Sequence, residues 1–104
     1  MSIYTLDELR AKVPEAVRAY NERAAEPDRI DKVSLFGSYA EGRASESSDI
    51  DLLVTFSSSV VSLFTLAKVL SSLEESLGVP VDVVQDPLPE ESLLMIGAVI
   101  PLYA

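Results

Sequence analysis

Two short apolar segments, each joined to a polar motif, constrain the fold of this chain more than any other feature. Residues 32–36 (Lys-Val-Ser-Leu-Phe) run straight into Gly37-Ser38, and residues 50–56 begin within the motif Asp49-Ile50-Asp51. Alternate side chains of an extended segment point to opposite faces, so the second segment separates an apolar face from an acidic one. The apolar face holds Ile50, Leu52 and Val54, and the other face holds Asp49, Asp51 and Leu53. Both segments therefore predict strands, with a Gly-Ser turn and two carboxylates near the strand ends.

The N-terminal part of the chain predicts helix. Thr5-Leu6-Asp7-Glu8 is typical of a capping box, in which Thr5 and Glu8 satisfy each other's backbone amides. An apolar stripe at helical spacing follows, made of Leu6, Leu9, Val13, Ala16, Val17 and Tyr20. Pro14 interrupts this stripe, so we expect a short helix and then a second one that starts or kinks there.

The second half of the chain predicts helix, strand and helix. The serines at 57–59 are candidate N-caps for a helix that ends at Leu77, because Gly78 suits a helix terminator. The expected buried face of that helix consists of Leu63, Leu66, Ala67, Leu70, Leu73 and Leu77. Residues 79–85 predict a third strand that carries Asp82, and a last helix is expected from about 89 to 97.

This order of elements predicts an α/β (α+β) fold: a small mixed β-sheet with helices packed mainly on one face. The opposite face, which bears Asp49, Asp51 and Asp82, is expected to stay open as a cleft. At 104 residues, the whole chain (1–104) is expected to form a single domain.

Composition excludes several classes of chemistry. The chain contains no His and no Cys, which removes serine–histidine triads, cysteine nucleophiles and the usual zinc sites. A formal net charge of −9 argues against direct binding of nucleic acid, which depends on basic surface. No apolar run has the length of a membrane span and no secretory signal is visible, so we expect a cytoplasmic protein without membrane contact.

The three aspartates fit a site for hard divalent cations. Adjacent strands lie about 4.8 Å apart, so carboxylates on one face of neighbouring strands converge and repel one another. Oxygen ligands favour Mg²⁺, and Mn²⁺ fits the same ligands. Two Mg²⁺ ions would relieve the repulsion, one activating an attacking hydroxyl and the other holding a triphosphate. Gly37 would let the backbone approach the phosphates, and Ser38 with the following amides would bind them.

These motifs resemble the minimal nucleotidyltransferases of the DNA polymerase β superfamily. The resemblance lies in Gly37-Ser38 followed by ten residues and Asp49-Ile50-Asp51, in Val81-Asp82-Val83-Val84, and in the ending Ile100-Pro101-Leu102-Tyr103. It covers essentially the whole chain and implies a polymerase-β-like nucleotidyltransferase fold. Tyr39 departs from the family pattern, since many relatives carry Arg after Gly-Ser, and Arg43 is then the nearest cation in sequence.

The resemblance implies a specific activity and partner. Proteins of this group are commonly antitoxins that transfer AMP from ATP to a tyrosine hydroxyl of a partner HEPN-domain ribonuclease toxin. By this analogy Asp49 and Asp51 hold both metal ions, Asp82 completes the first and helps to deprotonate the nucleophile, and Gly37 and Ser38 bind the nucleotide. A hetero-oligomer with the toxin is expected.

Two alternatives stay open on sequence alone. The chain could neutralise its toxin by binding and occlusion without catalysis, although occlusion does not require three clustered carboxylates. It could instead transfer a nucleotide to a small-molecule acceptor, but such relatives usually need an additional acceptor-binding region.

Overall fold

The structure is a computed structural model that describes residues 4–45, 48–58, 60–86 and 99–104. Its elements are helix α1 (Leu6–Arg23), a 3-10 turn (Glu26–Asp28), strand β1 (Ile30–Phe36), the short helix α2 (Gly37–Ala40), strand β2 (Ile50–Phe56), helix α3 (Leu63–Leu77) and strands β3 (Val81–Asp86) and β4 (Ile100–Tyr103). The last helix predicted from sequence, over 89–97, lies outside the described residues. Within the described ranges, no helix is both long and apolar enough to cross a bilayer.

Helix α1 begins at the predicted capping box. The Glu8 amide donates to Thr5 Oγ1 at 3.1 Å, and the Thr5 amide donates to Glu8 Oε1 at 2.9 Å. The expectation that Pro14 would divide this region into two helices is wrong, because a single helix runs past it. Pro14 is buried together with Val13 and Ala16, so packing of the apolar stripe offsets the lost backbone hydrogen bond.

The sheet is mixed, as predicted, with strand order β3-β2-β1-β4. β1 pairs antiparallel with β2 and with β4, whereas β2 and β3 are parallel and connected through α3. β2 has the predicted bounds, and β1 starts two residues earlier than predicted. Sequence reasoning missed β4, a four-residue edge strand containing Pro101, which edge strands tolerate.

Helix α3 differs from its prediction in its start and its buried face. Its N-cap is Ser62, whose hydroxyl accepts from the Thr65 amide at 3.1 Å, and not a serine of 57–59. Gly78 ends the helix in the left-handed conformation (φ 72°), as predicted. The buried residues are Thr65, Val69, Leu73 and Leu77, while Leu66 and Leu70 are partly buried against the core. Leu63 and Ala67, expected inside, are exposed.

The helices and one face of the sheet share a single hydrophobic core. Its sheet contribution includes the predicted face of β2, and all three of those side chains are fully buried: Ile50, Leu52 and Val54. The helices contribute mainly Leu9, Val13, Val17, Val69 and Leu73. The acidic face of β2 is therefore directed away from the helical layer.

Candidate active site

Two of the three predicted site carboxylates lie side by side on parallel strands. Asp51 of β2 is the register partner of Asp82 of β3, and partners on adjacent parallel strands project from the same face. Asp51 is half-buried and Asp82 is exposed. Asp49 stands one residue before β2 and is also exposed. The structure thus brings Asp51 and Asp82 together, with Asp49 on the adjoining loop.

The loop before Asp49 is held by two serines that sequence reasoning did not single out. The Ser45 amide donates to Ser48 Oγ at 2.9 Å, and the Ser48 amide donates to the Ser45 carbonyl at 3.0 Å. These reciprocal bonds tie the backbone of Ser45 to Ser48. The Ser-x-x-Ser spacing was the available signal, and these bonds hold Ser48 immediately before the first aspartate.

Gly37 fits against Asp51 so closely that no side chain has room there. Gly37 follows Phe36, the register partner of Asp51, and adopts φ +76°. A Cβ on Gly37 would overlap with Asp51 Oδ2 and lie 3.0 Å from its Cγ. Sequence reasoning assigned Gly37 to phosphate approach. The structure adds a second requirement, because this glycine makes room for the half-buried carboxylate.

Ser38 lies in the first turn of α2, directly beside this contact. Its carbonyl accepts from the Arg43 amide at 2.8 Å, which closes the turn after α2. Among the hydrogen bonds of the described residues, none involves the Ser38 hydroxyl. The side chain is half-buried, so its hydroxyl is accessible to a ligand at the carboxylate end of the sheet.

The charges of the site interact before any ligand is present. Burial raises the pKa of Asp51 above its ordinary value, and the charges of Asp82 and Asp49 and a hydrogen bond with Asp82 raise it further. The described residues contain no group of three or more acidic side chains already close enough together to hold a metal ion. Asp51 and Asp82 nevertheless supply two adjacent oxygen donors, the ligand type that Mg²⁺ and Mn²⁺ prefer. This donor set fits a hard divalent cation, with Asp49 as the third carboxylate nearby in sequence.

Neither Tyr39 nor Arg43 is placed as an evident phosphate ligand. Tyr39 is half-buried and packs against the hydrophobic core. Arg43 is exposed and its Nη2 lies 3.0 Å from Glu41 Oε1 in an ion pair. Asp86, at the far end of β3, accepts from Thr55 Oγ1 at 2.9 Å, so it belongs to a separate contact.

Comparison with known proteins identifies the family. Residues 15–97 match the family model described as nucleotidyltransferase domain. The protein adenylyltransferase MntA of Thermococcus cleftensis is 33% identical over 84 residues, which span 81% of this chain and 80% of that protein.

Two solved structures share the fold. One, of a protein assigned as a minimal nucleotidyltransferase, is 36% identical with a TM-score of 0.71 and covers 98% of this chain and 100% of that one. The other contains the tri-AMPylated Shewanella oneidensis HEPN toxin in complex with MNT antitoxin; the match has a TM-score of 0.62 and 18% identity and covers 92% of this chain and 70% of that one. The predicted fold is therefore confirmed.

Proposed function

The chain belongs to the nucleotidyltransferase domain family and is a nucleotidyltransferase enzyme, and from that premise we propose that it is an antitoxin that adenylylates a HEPN-domain toxin. The acceptor in this proposal is a tyrosine hydroxyl of the toxin, and the donor is ATP. Similarity to a protein adenylyltransferase supports a protein acceptor. This chain shares its fold with a chain of a solved complex between an AMPylated HEPN toxin and an MNT antitoxin, which supports a HEPN-domain toxin as the partner.

The observation that carries the proposal is the placement of Asp51 beside Asp82 and against Gly37. Carboxylates that repel one another on adjacent strands destabilise the protein unless they bind a cation. Gly37 has no side chain that would displace the Asp51 carboxylate, which indicates that the position of this carboxylate is important. Such an arrangement suits transfer of a phosphate-containing group, which depends on positioning and charge stabilisation.

Asp49, Asp51 and Asp82 would hold the metal ions of the reaction, which in this proposal are two Mg²⁺ ions. Bound there, the ions would supply charge neutralisation for the triphosphate and activation of the acceptor hydroxyl. The donor chemistry of the three carboxylates fits this role, since all their ligand atoms are oxygens.

The residues of the chain would act on ATP and the acceptor as follows. Gly37 and Ser38 would bind the triphosphate through backbone amides and the Ser38 hydroxyl. The acceptor oxygen forms a bond to the α-phosphorus, and the bond from that phosphorus to the bridging oxygen of the β-phosphate breaks. Pyrophosphate leaves, and Asp82 takes up the proton of the acceptor hydroxyl.

The proposal is tested by transfer of label from [α-³²P]ATP, with Mg²⁺, to the purified HEPN-domain protein encoded by the adjacent gene. Wild type should label that protein, and the Asp49→Asn/Asp51→Asn variant should not. Asp86→Asn is the matched control, because Asp86 lies on the same strand as Asp82 and an amide can still accept from Thr55. It should label at the wild-type rate.

Two outcomes would contradict the proposal. A stable complex of the two proteins without label would indicate neutralisation by occlusion. Label on a small molecule but on no protein would indicate a small-molecule acceptor. A useful companion measurement is thermal unfolding, since Mg²⁺ should raise the Tm of wild type and leave that of the double variant unchanged.

A further inference from the structure

The start of helix α3 presents an apolar ledge to solvent. The apolar ledge consists of Val60, Leu63 and Phe64, whose exposed fractions are 82%, 84% and 72%. Helix α3 buries Thr65 and Val69, whereas the three residues of the ledge stay outside the core. Three large apolar side chains exposed within five residues are typical of an interaction site.

A groove lies directly beside the apolar ledge. This helix groove, with a volume of about 560 Å³, runs between the end of α1 and the outer side of α3. Tyr20 and Ala24 line one wall, and Ser71 and Ser72 line the other. Lys68 joins the two features, because it lines the groove and its Nζ lies 5.1 Å from the centre of the Phe64 ring. Protein pockets that bind compact ligands have volumes of about 300–1,000 Å³, so a phenylalanine side chain fits.

Charge is balanced in the helix groove, although the chain as a whole is strongly acidic. Arg23 and Lys68 offset Asp28 and Glu75 among the lining residues, whereas the formal net charge of the chain is −9. Two copies of an acidic protein repel one another where their acidic surfaces approach. The groove is a part of the surface where they can meet without concentrating negative charge.

The apolar ledge and the candidate active site lie at opposite ends of the sheet. β2 (Ile50–Phe56) leads away from the carboxylate end of the sheet, and α3 then begins beyond Phe56 and returns toward β3. At about 3.3 Å per residue, the length of β2 separates the two ends by roughly 20 Å. The ledge also belongs to the helical layer and the carboxylates to the other face of the sheet. A protein covering the ledge would leave the carboxylates open.

We propose that a second copy of this chain covers the apolar ledge in a two-fold symmetric dimer. In this dimer Phe64 and Leu63 of each protomer enter the helix groove of the other. A projecting apolar side chain and a neighbouring groove on one surface are self-complementary about a two-fold axis, so both contacts form at once. The two active sites face away from the interface, and each remains available to its own acceptor.

Sedimentation equilibrium of the purified protein tests the dimer. Wild type should dimerise, and Phe64→Asp should weaken dimerisation by at least about 100-fold, as expected for a central aromatic anchor. Val99→Asp is the matched control, because Val99 is 44% exposed and precedes β4, near the Leu35 end of β1. It should dimerise like wild type. Circular dichroism confirms that each variant is folded.

A mixing experiment tests the reciprocal geometry. Ser71→Trp should fill the helix groove while leaving the ledge intact, and alone it should be monomeric. An equimolar mixture of Ser71→Trp and Phe64→Asp should form heterodimers, because the intact Phe64 of one chain can enter the intact groove of the other. A monomeric wild type, a dimer unaffected by both substitutions, or a mixture that stays monomeric would each overturn the proposal. These readouts measure association alone, so they are independent of the nucleotidyl transfer.

Discussion

The contact between Gly37 and Asp51 yields the sharpest prediction, which concerns the stability of a Gly37→Ala variant. Two costs add at this position. Alanine at φ +76° adopts the left-handed conformation, at a cost of about 1–2 kcal/mol. Its Cβ also overlaps with Asp51 Oδ2 and lies 3.2 Å from the Asp51 Cβ, so the carboxylate must rotate away, at about 0.5–1.5 kcal/mol. The free energy of unfolding should fall by about 1.5–3.5 kcal/mol in total.

The structure provides a control that separates these two costs. Gly42 has nearly the same backbone conformation, with φ +73°, but a Cβ there meets nothing within 4 Å. Gly42→Ala should therefore cost only the backbone part, about 1–2 kcal/mol. In an Asp51→Ala background, the cost of Gly37→Ala should fall toward that part, because the overlapping carboxylate is gone and only the 3.2 Å contact with the Cβ at position 51 remains.

Urea unfolding in the presence of EDTA, followed by circular dichroism, measures the free energies of unfolding of wild type, the three single variants and the double variant. A cost for Gly37→Ala equal to that for Gly42→Ala would refute the reasoning. So would an unchanged cost of Gly37→Ala after removal of the Asp51 carboxylate. Displacement of that carboxylate should also abolish label transfer by Gly37→Ala, while Gly42→Ala remains active.

Three further predictions concern stability. Asp51→Asn should stabilise the metal-free protein by about 1 kcal/mol at pH 7, since it removes a charge that is partly buried and is repelled, with solvent screening, by Asp82 and Asp49. The pKa of this carboxyl is raised in the folded state, so wild type regains stability as the pH falls. The difference in Tm between Asp51→Asn and wild type should therefore vanish below the ordinary pKa of aspartate. Ser62→Ala should lower the free energy of unfolding by about 1 kcal/mol, because the N-cap of α3 is lost. Ser76→Ala, at an exposed position of the same helix, is the control and should change this free energy little. Urea unfolding measures both variants. Tyr20→Phe should cost about 1 kcal/mol in the same assay, because the buried hydroxyl donates to the Asp28 carbonyl at 2.8 Å.

Strand β2 and the end of β1 were predictable because each carries a clear signal in the sequence. Strict alternation fixes the faces of residues 50–56, and the Gly-Ser motif marks the end of β1. The pairing of Asp51 with Asp82 followed from placing both on strands of one sheet. The contact between Gly37 and Asp51 did not follow, since it depends on the register of β1 against β2.

The sequence-based predictions were wrong where the sequence is compatible with more than one local structure. Helix α3 contains apolar residues on nearly every side, so periodicity does not select between a face through Leu63 and one through Val69. At Pro14 the prediction considered only the free-energy cost of a proline within a helix. The packing of α1 against the core outweighs that cost. Strand β4 pairs with residues near Val33, far away in sequence, and four residues with a proline carry no strand signal of their own.

The connectivity of the sheet has a consequence for folding kinetics. β1 and β2 are antiparallel neighbours that follow one another in sequence, with 13 residues between them, so Gly37 and Asp51 can meet before the more distant β3 docks. Asp82 arrives only when α3 has crossed over and β3 has paired with β2. The repulsion between the two carboxylates is therefore absent from the β1–β2 pair and opposes only the late docking of β3. Relief of that repulsion in Asp51→Asn should slow unfolding and leave the folding rate nearly unchanged.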